Sequence, residues 1–374
     1  MKLMRKSILV VVCLLSVAMT LGAAWTTKRL TNTTGYSGWP DIAVDGSNVY
    51  AVWYDHSSGN NDIYFRRSTN GGSGWQTAKK LTTNAADSSY PAIAVDGSNI
   101  YAVWQDNTPG NYEIYFRKST DGGATWLTAR KVMSTTGESS YPAIAVSGSN
   151  VYVVWNDNTP GNWEIYLRRS TDGGATWQTY KRVTNSAMAS TFPAVAVDGS
   201  NVHVVWEDYA PGNFEIYFTK STNNGATWQT AKRLSITAST SYVPSVAVDG
   251  ANIHVVWEDI TPGVFEIFFR KSADGGATWQ TTRKLTNNSN GSYSPDIAVN
   301  GSNVCVVWFN IWCDIYFKKS ADSGATWQTA EMLTIGNTGC SLSPRIAVSD
   351  SNVFVIWEDD STGNSEIYVI FSPL

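Results

Sequence analysis

Pairs of acidic residues are the first feature of the chain that could do chemistry. Two carboxylates suffice for glycoside hydrolysis when they lie roughly 5 to 10 Å apart. In six places an Asp precedes a second acid by seven residues across a Gly-containing loop: Asp55/Asp62, Asp106/Glu113, Asp157/Glu164, Asp208/Glu215, Asp259/Glu266 and Asp359/Glu366. A pair that recurs six times is not one active site. It indicates either carboxylates that bond their own loops or a ring of equivalent shallow sites, for which Asp106, Glu113, Asp157 and Glu164 are the predicted ligand-binding residues.

Aromatic residues accompany these acids. They stand directly before a Pro or directly before the second acid of a pair, and those predicted to bind ligand are Trp39, Tyr90, Tyr141, Tyr112, Trp163 and Phe214. Rings beside carboxylates suit a sugar, because its C–H faces stack on rings while its hydroxyls need acceptors. The same rings could instead plug the spaces between adjacent loops, so both interpretations stay open.

Three charged residues depart from a recurring pattern. The position after the same Pro holds Ala92, Ala143, Ala194 and Ser245 in four places, but Asp41, Asp296 and Arg345 in the others. If the protein is an enzyme, these three are its predicted catalytic residues. The alternative is a structural salt bridge.

One repeat, written seven times, positions all of these residues. Its marker Trp recurs at intervals of 51 residues five times and then of 49, at Trp53, Trp104, Trp155, Trp206, Trp257, Trp308 and Trp357. Each unit holds four β-type runs (in the second copy PAIAV, NIYAVW, EIYFRKS and the run after Trp126), separated by Asp-Gly and Pro-Gly turns. This predicts an all-β, seven-bladed β-propeller with four antiparallel strands per blade.

The two ends of the repeat array complement each other. WTTKRLT from Trp25 matches a fourth strand, whereas the chain closes on SEIYVIFS, a third strand without its fourth. We therefore expect residues 25–374 to form one propeller whose last blade is closed by the N-terminal strand, beside residues 367–370. Blades six, seven and one then become neighbours, and Asp296, Arg345 and Asp41 should meet near the mouth of the central channel.

STDGGATW at Ser119–Trp126 fits the Asp-box, Ser-x-Asp-x-Gly-x-Thr-Trp, and recurs intact three times. Asn replaces its Asp at Asn70 and Asn223. The chain thus resembles the Asp-box (BNR) repeat propellers, which include sialidases and sortilin-type receptors. The resemblance implies a turn between strands three and four, on the face opposite the catalytic site of the sialidases.

The catalytic apparatus of sialidases is not recognisable. Their arginine triad begins in a Phe/Tyr-Arg-Ile-Pro motif, which this chain lacks. Most arginines occupy two recurring positions on strands three and four, where Lys often replaces them, so they are expected on solvated faces. Only Arg345 departs from that pattern, and one arginine does not make a triad.

The N-terminus has the pattern of an export signal. Lys2, Arg5 and Lys6 precede an apolar run, and small residues end at Ala24, which predicts a signal peptide over residues 1–24 and a secreted, periplasmic or cell-surface protein. In an oxidising compartment, Cys313 and Cys340 on the same face are expected to form a disulfide, and Cys305 a buried thiol. No cofactor and no metal site are expected.

The formal net charge of −4 becomes more negative once the three leader cations are removed. This argues against nucleic-acid binding and against an anionic membrane surface. We expect a monomeric, non-catalytic binding or adhesion protein that is not inserted in a membrane and recognises an extracellular glycan or surface protein. The alternatives are a sialidase-like glycoside hydrolase and a sortilin-like platform for protein interactions.

Overall fold

Seven four-stranded antiparallel sheets form a ring in the computed structural model, which describes residues 24–374. The predicted seven-bladed propeller is confirmed. The predicted signal peptide lies outside the described residues except for Ala24. Residues 24–374 contain no helix that could cross a membrane.

The strands occupy the same place in every blade. The first strands, which surround the centre, are β2 (Ser37–Asp45), β6 (Ser88–Asp96), β10 (Ser139–Ser147), β14 (Ser190–Asp198), β18 (Ser241–Asp249), β22 (Ser292–Asn300) and β26 (Ser341–Val348). The second strands are β3 (Asn48–Asp55), β7 (Asn99–Asp106), β11 (Asn150–Asp157), β15 (Asn201–Asp208), β19 (Asn252–Asp259), β23 (Asn303–Asn310) and β27 (Asn352–Asp359). The third strands are β4 (Asp62–Ser68), β8 (Glu113–Ser119), β12 (Glu164–Ser170), β16 (Glu215–Ser221), β20 (Glu266–Ser272), β24 (Ile315–Ser320) and β28 (Glu366–Pro373). The outer strands are β5 (Lys79–Lys80), β9 (Arg130–Lys131), β13 (Lys181–Arg182), β17 (Lys232–Arg233), β21 (Arg283–Lys284), β25 (Glu331–Met332) and, for blade seven, β1 (Thr26–Arg29).

The outer strands are shorter than the sequence predicted. In the run after Trp126 only Arg130 and Lys131 form strand β9. The flanking N–H groups of Leu127 and Val132 nevertheless donate to the Lys118 and Ile114 carbonyls of strand three at 2.8 and 2.7 Å. The Leu127 carbonyl accepts the Nε of Arg117 at 2.6 Å.

Ring closure is confirmed in detail. β1 pairs antiparallel with β28, with Thr26 opposite Phe371 and Arg29 opposite Tyr368. Trp25 packs edge-on against Phe317 of the preceding blade, with ring centroids 5.2 Å apart. Four other Asp-box tryptophans pack edge-on against a Phe of the preceding blade in the same way, as Trp126 does on Phe65 at 5.0 Å. Closure removes the open sheet edge that blade seven would otherwise present.

The core lies between the blades. The second strands are β-branched and almost wholly buried, and the seven marker tryptophans are all at most 3% exposed. His203 and His254 take the strand position of Tyr101 and are buried. Aromatic burial on this scale is the main attraction between neighbouring blades.

The strand-three arginines and several outer-strand cations also join the blades, whereas Arg29, Arg182 and Arg233 pair with acids of their own blade. The outer-strand cations remain largely exposed, so the expectation of solvated faces holds only for them. The guanidinium of Arg270 donates to the Leu234 carbonyl of the preceding blade at 2.5 Å, and Lys318 donates to Leu285 in the same way at 2.7 Å. Arg130, on an outer strand, donates forward to the Ala175 carbonyl at 2.7 Å. Charge-assisted bonds of this kind contribute about 1.5–3 kcal/mol each when shielded, and less where water reaches them.

Each Asp-box forms a closed turn. Ser119 Oγ accepts the Gly123 N–H at 2.8 Å, while Asp121 accepts the Thr125 N–H at 2.8 Å and the Thr125 hydroxyl at 2.6 Å. Asn223 accepts the equivalent N–H at 2.9 Å. The Asn substitutions therefore preserve the turn, because an amide oxygen accepts the same bond.

Candidate functional site

One face of the ring carries every candidate residue that is not part of an Asp-box. This loop face is formed by the loops between second and third strands and by the loops that join one blade to the next. At its centre the beginnings of the seven first strands surround a cavity of about 350 Å³. We call this cavity the funnel, and its size lies at the lower end of ligand sites.

A β-bulge in each first strand shapes the funnel wall. The residue before the Pro has a left-handed backbone, with φ between 47° and 53°, at Trp39, Tyr90, Tyr141, Phe192, Val243, Ser294 and Ser343. The pairing register shifts at the same place in all seven blades, as between Gly38 and Asp41. Such φ values are rare in residues other than Gly and cost of order 1–3 kcal/mol each.

Side chains from the preceding blade hold four of these bulges. The N–H of Val243 donates to Glu207 at 2.9 Å and that of Ser294 to Glu258 at 2.6 Å. Gln105 accepts the Tyr141 N–H at 3.2 Å, and Glu358 accepts the Trp39 N–H at 3.3 Å. Burial raises the pKa of Glu207 and of Glu258 to about 7 and also raises that of Glu358. This set was not predicted from the sequence, although the Gln or Glu directly after the marker Trp was its signal.

An aromatic arc forms one side of the funnel. Trp39, Tyr90, Tyr141 and Phe192 line it on blades one to four, and their successive ring centroids are 4.6, 4.6 and 4.3 Å apart. The predicted residues Trp39, Tyr90 and Tyr141 are thus brought together. Each ring keeps part of its surface exposed.

A polar sector forms the other side of the funnel. Asp41, Asp296 and Arg345 all line it, and Arg345 is close enough to lower the pKa of both carboxyls. However, no ion pair joins them in the described part of the chain, so the structural salt bridge considered from the sequence is not formed. Arg345 donates instead to the Pro344 carbonyl at 2.9 Å.

Both funnel carboxylates bond across a blade boundary. Asp41 accepts the Ile93 N–H at 2.8 Å, and Asp296 accepts the Ile346 N–H at 2.9 Å together with the Ser245 hydroxyl at 2.7 Å. Burial raises the pKa of Asp41 to about 7, against the opposing effects of the Ile93 N–H and of Arg345. Burial also raises the pKa of Asp296. The sector therefore combines acceptors, a guanidinium donor and a carboxyl that titrates near neutrality.

The acidic pairs are enclosed by their own loops. Asp106, Glu113, Asp157 and Glu164 are at most 1% exposed. Asp157 illustrates this, since it accepts the Ser139 hydroxyl at 2.7 Å and the Thr159 N–H at 2.8 Å. Because a ligand on the loop face would not reach buried carboxylates, their burial favours the structural interpretation of the two that the sequence left open. Burial raises the pKa of Glu113.

The loop aromatics are partly exposed, and some of them contact each other. Tyr112 and Trp163 lie on blades two and three, outside the funnel lining. Phe214 contacts Tyr209 at 5.0 Å and Tyr242 at 5.3 Å, so it both fills a space between loops and presents an edge to solvent. The structure thus combines the two interpretations that the sequence left open.

The loop of blade six carries two exposed apolar side chains, Ile311 and Trp312. Cys313 and Cys340 form the disulfide that the sequence predicted, and Cys305 is a buried free thiol. Trp312 beside the disulfide is 69% exposed. No cluster of three or more His, Cys, Asp or Glu within residues 24–374 could hold a metal ion.

Comparison with known families agrees with this architecture. The profile of the BNR repeat-like domain matches residues 164–373, which is more than half of the chain. The chain belongs to the BNR repeat-like family. No curated protein matches it in sequence.

Solved structures of other propellers resemble this BNR repeat-like protein at low sequence identity. The phage phi92 endosialidase superposes with a TM-score of 0.58 at 12% identity, over 94% of this chain and 69% of its own. The polysaccharide lyase Uly1 gives 0.61 at 9% identity, over 89% of both chains. The Penicillium chrysogenum α-L-arabinanase in complex with arabinobiose gives 0.52 at 13% identity, over 76% of this chain and 93% of its own. At such identities these similarities establish the fold.

Proposed function

We propose that this protein is an exported carbohydrate-binding propeller that recognises glycans on its loop face, in the funnel, without cleaving them. One observation carries the proposal: an arc of four contacting rings faces acceptors and a guanidinium donor across a cavity of about 350 Å³. Rings take the C–H faces of a sugar, and the polar sector takes its hydroxyls. Propellers of this fold include proteins named as an endosialidase, a polysaccharide lyase and an arabinanase, which adds support.

A glycan-array screen of the purified protein tests this proposal. We expect binding that falls about tenfold or more in Tyr90→Ala, because one central ring of the arc is lost. Tyr180→Ala is the matched control, since Tyr180 is an exposed ring on the outer side of blade three. Equal loss in both variants, with melting temperatures unchanged, would refute the funnel as the site.

Glycoside hydrolysis in the funnel is the second candidate. The observation that favours it is the raised pKa of Asp41, which provides a carboxyl protonated near neutral pH beside a second carboxyl, Asp296. Turnover of array-positive glycans that is lost in Asp41→Asn and Arg345→Ala would establish the enzyme and overturn the non-catalytic proposal. If neither binding on the array nor turnover is detected, a surface protein replaces the glycan as the proposed ligand.

A further inference from the structure

The aromatic residue of the bulge moves by one position between blades four and five. Blades one to four carry it at the left-handed position, for example at Tyr141. Blades five and six carry it one residue earlier, at Tyr242 and Tyr293, with Val243 and Ser294 in the left-handed position. Successive side chains of a strand point to opposite sides. In accordance with this rule, Val243 and Ser294 line the funnel, whereas Tyr242 and Tyr293 lie outside it.

The funnel wall is therefore low on one side. At the left-handed position blades one to four place four rings, whereas blades five to seven place the smaller side chains Val243, Ser294 and Ser343. A ligand held against the aromatic arc thus has an exit over blades five to seven.

The rings displaced from the funnel form a second row beyond this exit. We call it the outer row, and its members contact each other from blade four to blade six, at centroid distances of 5.0, 5.3, 6.2, 5.4 and 5.5 Å, in the order Tyr209, Phe214, Tyr242, Phe265, Tyr293 and Phe309. Each ring is partly exposed.

Trp312 extends the outer row in the loop that follows Phe309. Its backbone N–H donates to Asn310 Oδ1 at 3.0 Å, and the disulfide of the adjacent Cys313 anchors the loop. These bonds fix the loop backbone that carries the indole, and the indole itself is 69% exposed.

The loops around the outer row carry little charge. The segments 235–241, 260–265, 286–292, 310–313 and 334–340 contain no Asp, Glu, Lys or Arg, although Asp314 follows the fourth of them, and 235–241, 286–292 and 334–340 are rich in Ser, Thr and Asn. Such a surface gives an ionic polymer little to pair with, whereas hydroxyls and amides suit the hydroxyls of a neutral sugar chain.

We propose that the ligand is an uncharged polysaccharide bound by its end: the terminal sugars occupy the funnel, and the following sugars leave over blades five to seven and lie along the outer row as far as Trp312. This inference rests on the proposed function and specifies its ligand class. Several weak ring contacts in series add to the affinity only if the chain is long enough to reach them.

A chain-length series tests the inference. Affinity electrophoresis in xylan, mannan, arabinan and β-glucan identifies the polymer that binds, with polygalacturonate as the charged comparison. Calorimetry then follows the corresponding oligosaccharides from disaccharide to octasaccharide. We expect the octasaccharide to bind about tenfold more tightly than the disaccharide, and Trp312→Ala to weaken the octasaccharide about fivefold while leaving the disaccharide unchanged. Trp312 is mostly exposed, so this variant should fold, and Tyr180→Ala should change neither affinity.

Each other result counts against a specific step. Equal affinity for disaccharide and octasaccharide, or an unchanged ratio in Trp312→Ala, overturns the outer row as a binding surface but leaves the funnel proposal standing. Binding to polygalacturonate alone overturns the neutral ligand. If no glycan of any length binds, the proposed function fails and this inference fails with it.

Discussion

Glu207→Gln should stabilise the propeller above pH 7 and change it little at pH 5. Glu207 is buried and accepts the Val243 N–H at 2.9 Å and the Thr191 hydroxyl at 2.8 Å. An amide oxygen can accept the first bond, as Gln105 already does at the equivalent position of blade two. The variant therefore removes a buried negative charge while keeping the bond that holds the bulge.

The magnitude follows from the pKa of Glu207. Burial raises it from 4.5 to about 7, so the folded state holds more protons than the unfolded state between these values. Stability attributable to this carboxyl is therefore greatest below about pH 4.5 and is lost as the pH rises through 7. At about 1.4 kcal/mol per pH unit the loss amounts to about 3 kcal/mol, which the amide should recover at pH 8. Glu258 contributes in the same sense, and because the two carboxyls repel each other the double variant should gain less than the sum.

Urea unfolding at pH 5 and pH 8 measures the effect, with Asp45→Asn on an exposed turn as the control. The reasoning predicts a gain at pH 8 that disappears at pH 5 in Glu207→Gln alone. A gain of equal size at both pH values, or destabilisation at pH 8, would refute it.

The remaining predictions concern acid stability, the disulfide and closure. Burial lowers the pKa of His254 from 6.5 to about 4, so between these values the unfolded state binds a proton that the folded state does not, and stability falls with the pH. His254→Tyr should therefore reduce the loss of unfolding free energy between pH 7 and pH 4 by about 3 kcal/mol. Urea unfolding across that range measures this. Cys313→Ser opens a loop of 27 residues and should cost about 3 kcal/mol, and a reductant should lower the melting temperature of the wild type but not of the variant. Removing residues 24–30 exposes the edge of β28, so hydrogen exchange should rise in β28 well before it rises in β11.

The fold was predictable because its information is local and repeated. The marker tryptophans fix the unit, the turns separate its strands, and the unmatched segments at Trp25 and Glu366 identify the strand that closes the ring. None of these steps requires a distance between residues far apart in sequence.

The site was predictable only in part, for two physical reasons. Successive residues of a strand face opposite sides, so an aromatic residue at the position of Tyr242 instead of Val243 leaves the funnel although the composition of the segment barely changes. The carboxylates of the acidic pairs are taken up by their own loops, as Asp157 shows, and only their burial reveals this. The hydrogen bonds from strand-three cations to the main-chain carbonyls of the preceding blade were also not predicted. Their donor and acceptor lie 36 residues apart, as in Arg270 and Leu234.

The hydrogen bonds from strand-three cations to the preceding blade have a consequence for how the sequence of such a chain can diverge. Their acceptors are main-chain carbonyls, such as that of Leu234, which every residue type provides. A blade therefore makes almost no demand on the side chains of its neighbour at this contact. The cation also varies, because Lys318 replaces Arg in blade six, and Thr219 and Ile370 stand at this position in blades four and seven. The contact thus constrains the sequence of neither blade strictly, which leaves the units free to diverge independently there.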